Sequence, residues 1–449
     1  MLVLVQGVSC SDDLLDKDPI SSFSAQDFYK TSADARAGVN GIYDGVQSAF
    51  SRNFAYWGEG RADAVDTRQS GDPLALKQNN LTPIIMSASW NNLYEVISRA
   101  NYAIKYIPGV FDDENDFSKG LIGQARALRA LSYFYAVRVW GDVPLIVEPY
   151  ESVQQDVFVT RTDKELVLDQ VVEDLLYAEE NCSNASNGQD SLFITKQAAQ
   201  AILVQVYMWR GEFDLAIETA EKVIGSGIYS LENIQNWNSI FTSGSSNETI
   251  FEIGYNETQT NFLRVMYALG SDSQYFPSVK FRSSFEEGDA REEMIFDITE
   301  EEPRKIWKFF GRGFNDEDPA PSSNNIVMLR LADVILLKSE AHNALGETTE
   351  ALNLLNQIRT RAQLPELSEQ EAIAAYGDLE SAILHERFIE LSFEGHRWFD
   401  LVRTGKAIEV MNPINGLSDE LNLLWPIHED AINRNPNLEQ NSFYTNAGN

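Results

Sequence analysis

Residues 198–223 read AAQAILVQVYMWRGEFDLAIETAEKV, and residues 333–358 read DVILLKSEAHNALGETTEALNLLNQI. In each stretch, apolar residues recur every three or four positions on both sides of a Gly-Glu pair, Gly211-Glu212 in one and Gly346-Glu347 in the other. An alanine stands five residues beyond each glycine, at Ala216 and Ala351. The spacing predicts a helix, a tight glycine turn and a second helix, with the small alanine where the two helices cross. That is the construction of tetratricopeptide-type helical hairpins. The copies are dispersed in the chain rather than tandem, so we read them as parts of one helical framework with long insertions between units.

The same periodicity extends outward, near 25–50, 87–107, 118–140, 163–180, 195–210, 213–225, 329–345, 348–362 and 379–402. Ser24 with Asp27 marks the start of the first of these helices. Strand-like pieces are few and short, and Thr249-Ile-Phe-Glu-Ile-Gly-Tyr255 is the clearest because it alternates. The expected fold is mainly α, with dispersed helical hairpins, long irregular insertions and few short strands. The insertions at 52–86 and 226–328 are rich in Gly, Ser, Asn, aromatic and charged residues. Ordered loops of that length usually carry function.

Composition narrows the classes of function. A chain of 449 residues with 43% hydrophobic content can bury a large core. Lys and Arg total 35 against 68 Asp and Glu, a net charge of -33. That field repels a phosphate backbone and anionic headgroups, so nucleic acid is not an expected partner. The two cysteines, Cys10 and Cys182, are too few for a disulfide framework or a zinc cluster.

The chain begins MLVLVQGV, followed by Ser9-Cys10 and the polar run Ser11-Asp12-Asp13. Eight residues are too few to span a bilayer. They read as the end of a secretory signal, with residues 1–9 its remnant and a small residue before the cleavage point. Residues 10–24 are polar and contain Pro19, which suits a tether. We divide the remainder into an N-terminal helical region, 25–225, and a C-terminal region, 226–449, in one compact unit.

Catalytic signatures are not intact. His385-Glu386 begins like a zinc-protease motif, but Ile389 stands where the second histidine belongs. The acidic run 112–116 has Phe117 in place of the glycine of a calcium loop. No metal or cofactor is expected. One carboxylate cluster invites a hydrolase reading: Glu386, Glu390 and Glu394, spaced to share a helix face. Arg387, Arg397 and Arg403 are interleaved with it and would hold the carboxylates ionised, which suits a structural network better than a general acid.

Several stretches occur together in a consistent order. Trp90-Asn-Asn-Leu-Tyr94 leads into Ile97-Ser-Arg-Ala-Asn101, and Ala125-Arg-Ala-Leu-Arg-Ala-Leu-Ser-Tyr-Phe-Tyr135 leads into Trp140-Gly-Asp-Val-Pro-Leu145. Leu329-Arg-Leu-Ala-Asp-Val-Ile-Leu-Leu337 and Phe393-Glu-Gly-His-Arg-Trp-Phe-Asp-Leu-Val-Arg403 come later, with Trp425-Pro-Ile427, Asn435-Pro436 and Gln440-Asn441 last. This ensemble resembles the SusD/RagB family of Bacteroidetes outer-membrane lipoproteins. The resemblance implies the SusD-like helical fold, a lipid anchor on Cys10 and a position on the cell surface at the outer membrane. It also implies a partner, a SusC-like TonB-dependent transporter, to which bound oligosaccharide is passed without catalysis. The motif residues Arg129, Trp140, Asp142, Arg330, Asp333, Glu386, Arg397 and Asp400 are read as framework.

A sugar site needs flat aromatic platforms edged by amide, carboxylate or guanidinium groups. Two loops offer them. One runs from Phe54 through Trp57, Arg61 and Asp66 to Arg68; the other runs from Ser273 through Tyr275, Phe276 and Arg282 to Trp307 and Phe314. Candidate ligand contacts are Trp57, Arg61, Asp66, Arg68, Tyr275, Phe276 and Trp307. The opposing reading puts Trp57 and Trp307 in the core beneath the loops. The stretch 67–82, where some members of the family it resembles carry stacking aromatics, has none here, and the resemblance therefore implies no long-glucan site of the familiar type. The alternatives are peptides or another non-sugar nutrient in the same transporter role, or a scaffold that recognises proteins.

Overall fold

A computed structural model describes residues 25–112, 115–152, 154–186, 188–314 and 323–445. Ser24 and Cys10 lie outside the described residues. Eight helices make the framework: α1 (Ser32–Phe50), α2 (Asn91–Tyr106), α3 (Asp116–Trp140), α4 (Lys164–Asn181), α5 (Lys196–Arg210), α6 (Phe213–Ile224), α7 (Leu331–Ala344) and α8 (Thr348–Arg361). Each packs on the next in chain order. The hairpins α5–α6 and α7–α8, read from the sequence as dispersed, are therefore neighbours in space through α6 and α7. The chain leaves the array after α6, makes its long excursion, and returns beside the helix it left.

The two hairpin turns are the same structure. Gly211 (φ 72°) and Gly346 (φ 79°) take the left-handed conformation that glycine adopts without strain. Glu212 and Glu347 follow at φ -88°, ψ 64° and φ -90°, ψ 63°. Their N–H groups donate to Tyr207 and His342 carbonyls, each at 2.9 Å. Ala216 and Ala351 are fully buried at the crossings. A one-turn helix, Ala25–Phe28, starts where the signal places it, and α1 follows about two turns beyond Ser24, at a capping box in which Thr31 N–H donates to Asp34 Oδ2 (2.8 Å) and Asp34 N–H donates to Thr31 Oγ1 (3.2 Å). From Ala127 to Trp140, α3 is buried on every side and forms the axis of the core.

The described residues hold four short strands: β1 (Val65–Asp66), β2 (Thr249–Ile253), β3 (Phe276–Pro277) and β4 (Ile326–Arg330). Strand β2 pairs antiparallel with β4, from Thr249 opposite Arg330 to Ile253 opposite Ile326. The alternation in β2 does not mark a wet face, because all five residues are buried. Residues 329–330, expected as helix, complete β4. The expected helix over 379–402 is also two pieces, Leu379–Glu390 and Arg397–Arg403. Between them Phe393 (φ 66°) and Gly395 (φ 85°) turn the chain back. The turn meets the helix Asn53–Gly58 backbone to backbone: a Cβ on Gly58 would lie 1.9 Å from the Gly395 carbonyl oxygen. The C-terminal segment is tied to the end of α3, where Trp140 Nε1 donates to the Pro426 carbonyl (3.0 Å) and Trp425 N–H to the Val139 carbonyl (2.9 Å). Among the described residues no helix is long and apolar enough to cross a membrane.

Candidate functional site

The two insertions meet at the β1–β3 ribbon. Val65 stands opposite Pro277 and Asp66 opposite Phe276, so loops far apart in sequence share one floor. The root of the ribbon is fixed from below. Ser278 N–H donates to the Ala64 carbonyl (2.9 Å), and its hydroxyl donates to the Asp63 carbonyl (2.6 Å). The buried Asp63 carboxylate takes a two-pronged bond from Arg397 (2.8 and 3.0 Å) and pairs with Lys280 (2.8 Å). Burial alone would raise its pKa, but the Arg397 and Lys280 charges outweigh it and hold the carboxyl far below the usual range.

Above this root lies a cleft of about 200 Å³. Asp66, Thr67 and Arg68 form one wall; Phe276, Val279 and Arg282 form the second, and Glu302 and Arg304 close the third. The Arg304 guanidinium lies 4.1 Å from the centre of the half-buried Phe276 ring, close enough for a cation–π contact. Glu302 accepts from Arg304 and, at 3.0 Å, from Arg68. Arg282 donates to the Glu301 carbonyl. Three guanidinium groups thus converge in a chain whose net charge is -33. The Arg68–Glu302 pair is about two-thirds exposed on both sides. Such pairs contribute at most about 1 kcal/mol, so a ligand can replace either partner at little cost.

Of the residues singled out from sequence, Asp66, Arg68 and Phe276 line this cleft. Four others do not reach it. Trp57 is 1% exposed and donates its indole N–H to the Ser87 carbonyl (2.9 Å). Its helix, Asn53–Gly58, is buried on every side, which leaves the ring no outward direction. Arg61 is fully buried, stacks 4.1 Å from the Trp398 ring and donates to the Leu423 carbonyl (3.0 Å), so it is a core strut. Tyr275 is fully buried because it precedes Phe276 at the edge of the ribbon and packs edge-on against Tyr56, at 6.1 Å and 85°. Adjacent residues of an extended segment point to opposite faces, so only one of the two rings can face the cleft. Trp307 is partly buried and outside the cleft lining. Glu302 and Arg304 were not singled out, because EEPR at 301–304 reads as an ordinary solvated turn.

The carboxylate cluster is a different object. Glu394 lies beyond the end of the helix that carries Glu386 and Glu390, so the three do not share a helix face. They converge because the Phe393–Gly395 turn folds back. Glu390 binds Arg330 (2.6 Å), Arg361 (2.5 Å) and Arg291 (3.0 Å). Glu394 binds Arg330 (2.7 Å) and Lys308 (2.6 Å), and Glu386 binds Arg291 (2.6 Å). Burial raises the Glu390 carboxyl, but Arg361 and Arg330 pull it well below the usual range. Glu394 is lowered in the same way by Arg330 and Lys308 against burial. Glu386 goes the other way: burial exceeds the pull of Arg291 and Arg359, and its pKa is raised. None of the three is more than 4% exposed, so a scissile bond has no route to them.

The other motif residues are framework as expected. Arg129 holds Asp174 with two bonds of 2.8 Å, and Asp142 accepts from the Lys164 N–H (3.0 Å). Arg387 bridges Asp333 (2.8 Å) and Asp400 (2.9 Å).

Comparison with known proteins agrees along most of the chain. Residues 303–444 match the model of the SusD family, and residues 15–208 match one described as starch-binding associating with outer membrane. The chain is 34% identical to SusD-like protein P38 of Formosa agariphila over 99% of this chain and 98% of that protein. It is 26% identical to SusD-like protein P2 of the same organism, over 98% of each. Among solved structures, a SusD superfamily protein from Bacteroides thetaiotaomicron superposes with a TM-score of 0.78 at 26% identity, covering 93% of this chain and 99% of that one. A laminarin-binding SusD-like protein superposes with a TM-score of 0.79 at 25% identity, covering 93% and 100%.

Proposed function

The chain belongs to the SusD family, and from that premise we propose that it binds oligosaccharide at the cell surface and delivers it, unaltered, to a SusC-like TonB-dependent outer-membrane transporter. The observation that carries the reading is the cleft on the β1–β3 ribbon. Two irregular insertions are brought together there around Phe276, a ring backed by Arg304 and edged by Asp66, Thr67, Arg68 and Glu302. A ring face with guanidinium donors and carboxylate acceptors at its edge suits the C–H faces and hydroxyls of a sugar. The laminarin-binding relative supports the ligand class. The three guanidinium groups disfavour cationic peptides, despite the acidic chain. In this reading Cys10 carries the lipid that holds the protein at the membrane.

Calorimetric titration of the full chain with plant, algal, host and microbial glycans tests the site. Phe276→Ala or Arg304→Ala is expected to weaken the responding glycan about tenfold, or about 1.4 kcal/mol, with unchanged melting temperature. Silence across the whole panel, or binding indifferent to both substitutions, would refute the assignment. The mass of the mature N-terminus tests the anchor, since an unacylated Cys10 removes it.

A further inference from the structure

A second cleft, of about 490 Å³, shares no lining residue with the first. It lies between α1 and the segment that leaves β2, with Leu192 and Phe193 as one wall. Small-molecule sites typically run to about 300–1,000 Å³, so this cleft has the room that the first lacks. Leu192 is 36% and Phe193 50% exposed, an apolar surface turned outward at a cavity wall. The Phe193 ring is braced edge-on against Tyr43, at 5.5 Å and 85°. Tyr43 is itself locked, its hydroxyl donating to Gln124 Oε1 (2.8 Å) and accepting from the Ile194 N–H (2.8 Å). The platform is therefore rigid before any ligand arrives.

Unused hydrogen-bonding capacity collects around this ring. Among the described residues, the Asn40 amide, Gln259 Nε2 and Asn325 Nδ2 donate to nothing. The Glu252 side chain is fully buried. Its Oε1 accepts from Ser191 Oγ and the Ser245 N–H (both 2.9 Å), while Oε2 has no partner among the described residues. At 0% exposure that carboxylate lies beneath the cleft floor and does not itself meet a ligand. No Lys or Arg lines the cleft, and its rim carboxylate, Asp44, is already held by Arg99 (2.9 Å).

We infer that this cleft is a second carbohydrate site, selective for neutral saccharide. Uncharged amides exchange hydrogen bonds with hydroxyls, Phe193 takes a C–H face, and a sulfate or uronate would find no Lys or Arg in the lining to pair it. The inference rests on the family reading of glycan binding, and it adds a site that the β1–β3 ribbon does not include.

The test is calorimetric titration of the full chain with neutral hexaoses of β-1,3-glucan, xylan and mannan. Phe193→Ala, and the double variant Asn40→Ala with Gln259→Ala, should weaken hexaose binding about tenfold at one class of site. Phe193→Tyr should restore it, and Phe276→Ala should leave that class untouched. Hexaose binding that depends on Phe276 and ignores Phe193 would overturn the second site and leave the proposed function standing. Binding that survives Phe276→Ala and falls with Phe193→Ala would support the second site even if the first cleft were wrongly assigned. If no glycan of any kind binds, both readings fail.

Discussion

Arg330 and Arg304 do opposite things with the same chemistry. Each guanidinium lies beside glutamate carboxylates and within reach of an aromatic ring: Phe241 at 5.8 Å for Arg330, Phe276 at 4.1 Å for Arg304. Around Arg330 every participant is enclosed, and the partners Glu248, Glu390 and Glu394 lie at 2.6–2.7 Å. Around Arg304 the shared carboxylate, Glu302, is 61% exposed. Water decides the difference. An enclosed charge that loses its partner has nothing to turn to, whereas an exposed one is resolvated at once. The first arrangement therefore holds the fold, and the second is free to exchange its partner for a ligand.

The largest effect should come from breaking the enclosed network. Arg330→Ala leaves Glu390 and Glu394 short of a cation, and removal of one member of a buried pair costs about 3–5 kcal/mol. Thermal denaturation should show a large loss of melting temperature, or no folded protein. A variant that melts like the native chain would end the contrast, because the enclosed network would then be no more structural than the rim.

A smaller and pH-dependent effect should appear at Glu59, which shares the enclosure but lacks the guanidinium. Its Oε1 accepts from the Gly395 N–H (2.9 Å), and among the described residues Oε2 has no partner. Burial pushes its pKa from the ordinary 4.5 up to about 8. Because the folded value is raised, the stability that Glu59 contributes is full below the ordinary value and is lost as pH rises toward 8. Glutamine imitates the protonated form. Glu59→Gln should match the native protein near pH 4.5 and become the more stable of the two toward pH 8, by up to a few kcal/mol. Parallel melting curves across that window would mean that Glu59 is ionised in the fold, and that a backbone N–H can stand in for the guanidinium.

What could be read from sequence divides along the same line. The helical array was legible because its signals are local: the Gly-Glu turns at 211 and 346 announce their own geometry. The structural character of the Arg–Glu cluster was legible from its interleaved charges, although Glu394 reaches the network through a turn rather than along a helix. Where side chains point was not legible in the irregular insertions. A ribbon of two residues a side leaves no periodic trace, so Tyr275 and Phe276 look alike until β1 is placed beside β3. Trp57 looks like a platform because six residues cannot display which face of their helix is covered. Hydrophobic pattern reports burial over long elements, and this site is built from short ones.

The smallest effect is the one that sharpens the contrast most. Arg68 sits at the rim, 64% exposed, with Glu302 as its ion-pair partner. Arg68→Ala should change stability by less than about 1 kcal/mol. It frees Glu302 to bind Arg304 alone, so the Phe276 platform should keep its cation. Ligand affinity should therefore fall by only a few fold, with the loss shrinking as salt rises through the range where the Debye length drops from about 10 Å to about 3 Å. A loss as large as that of Arg304→Ala, and indifferent to salt, would show Arg68 gripping the ligand directly. The rim would then be as preorganised as the core, and exposure alone would not separate framework from site.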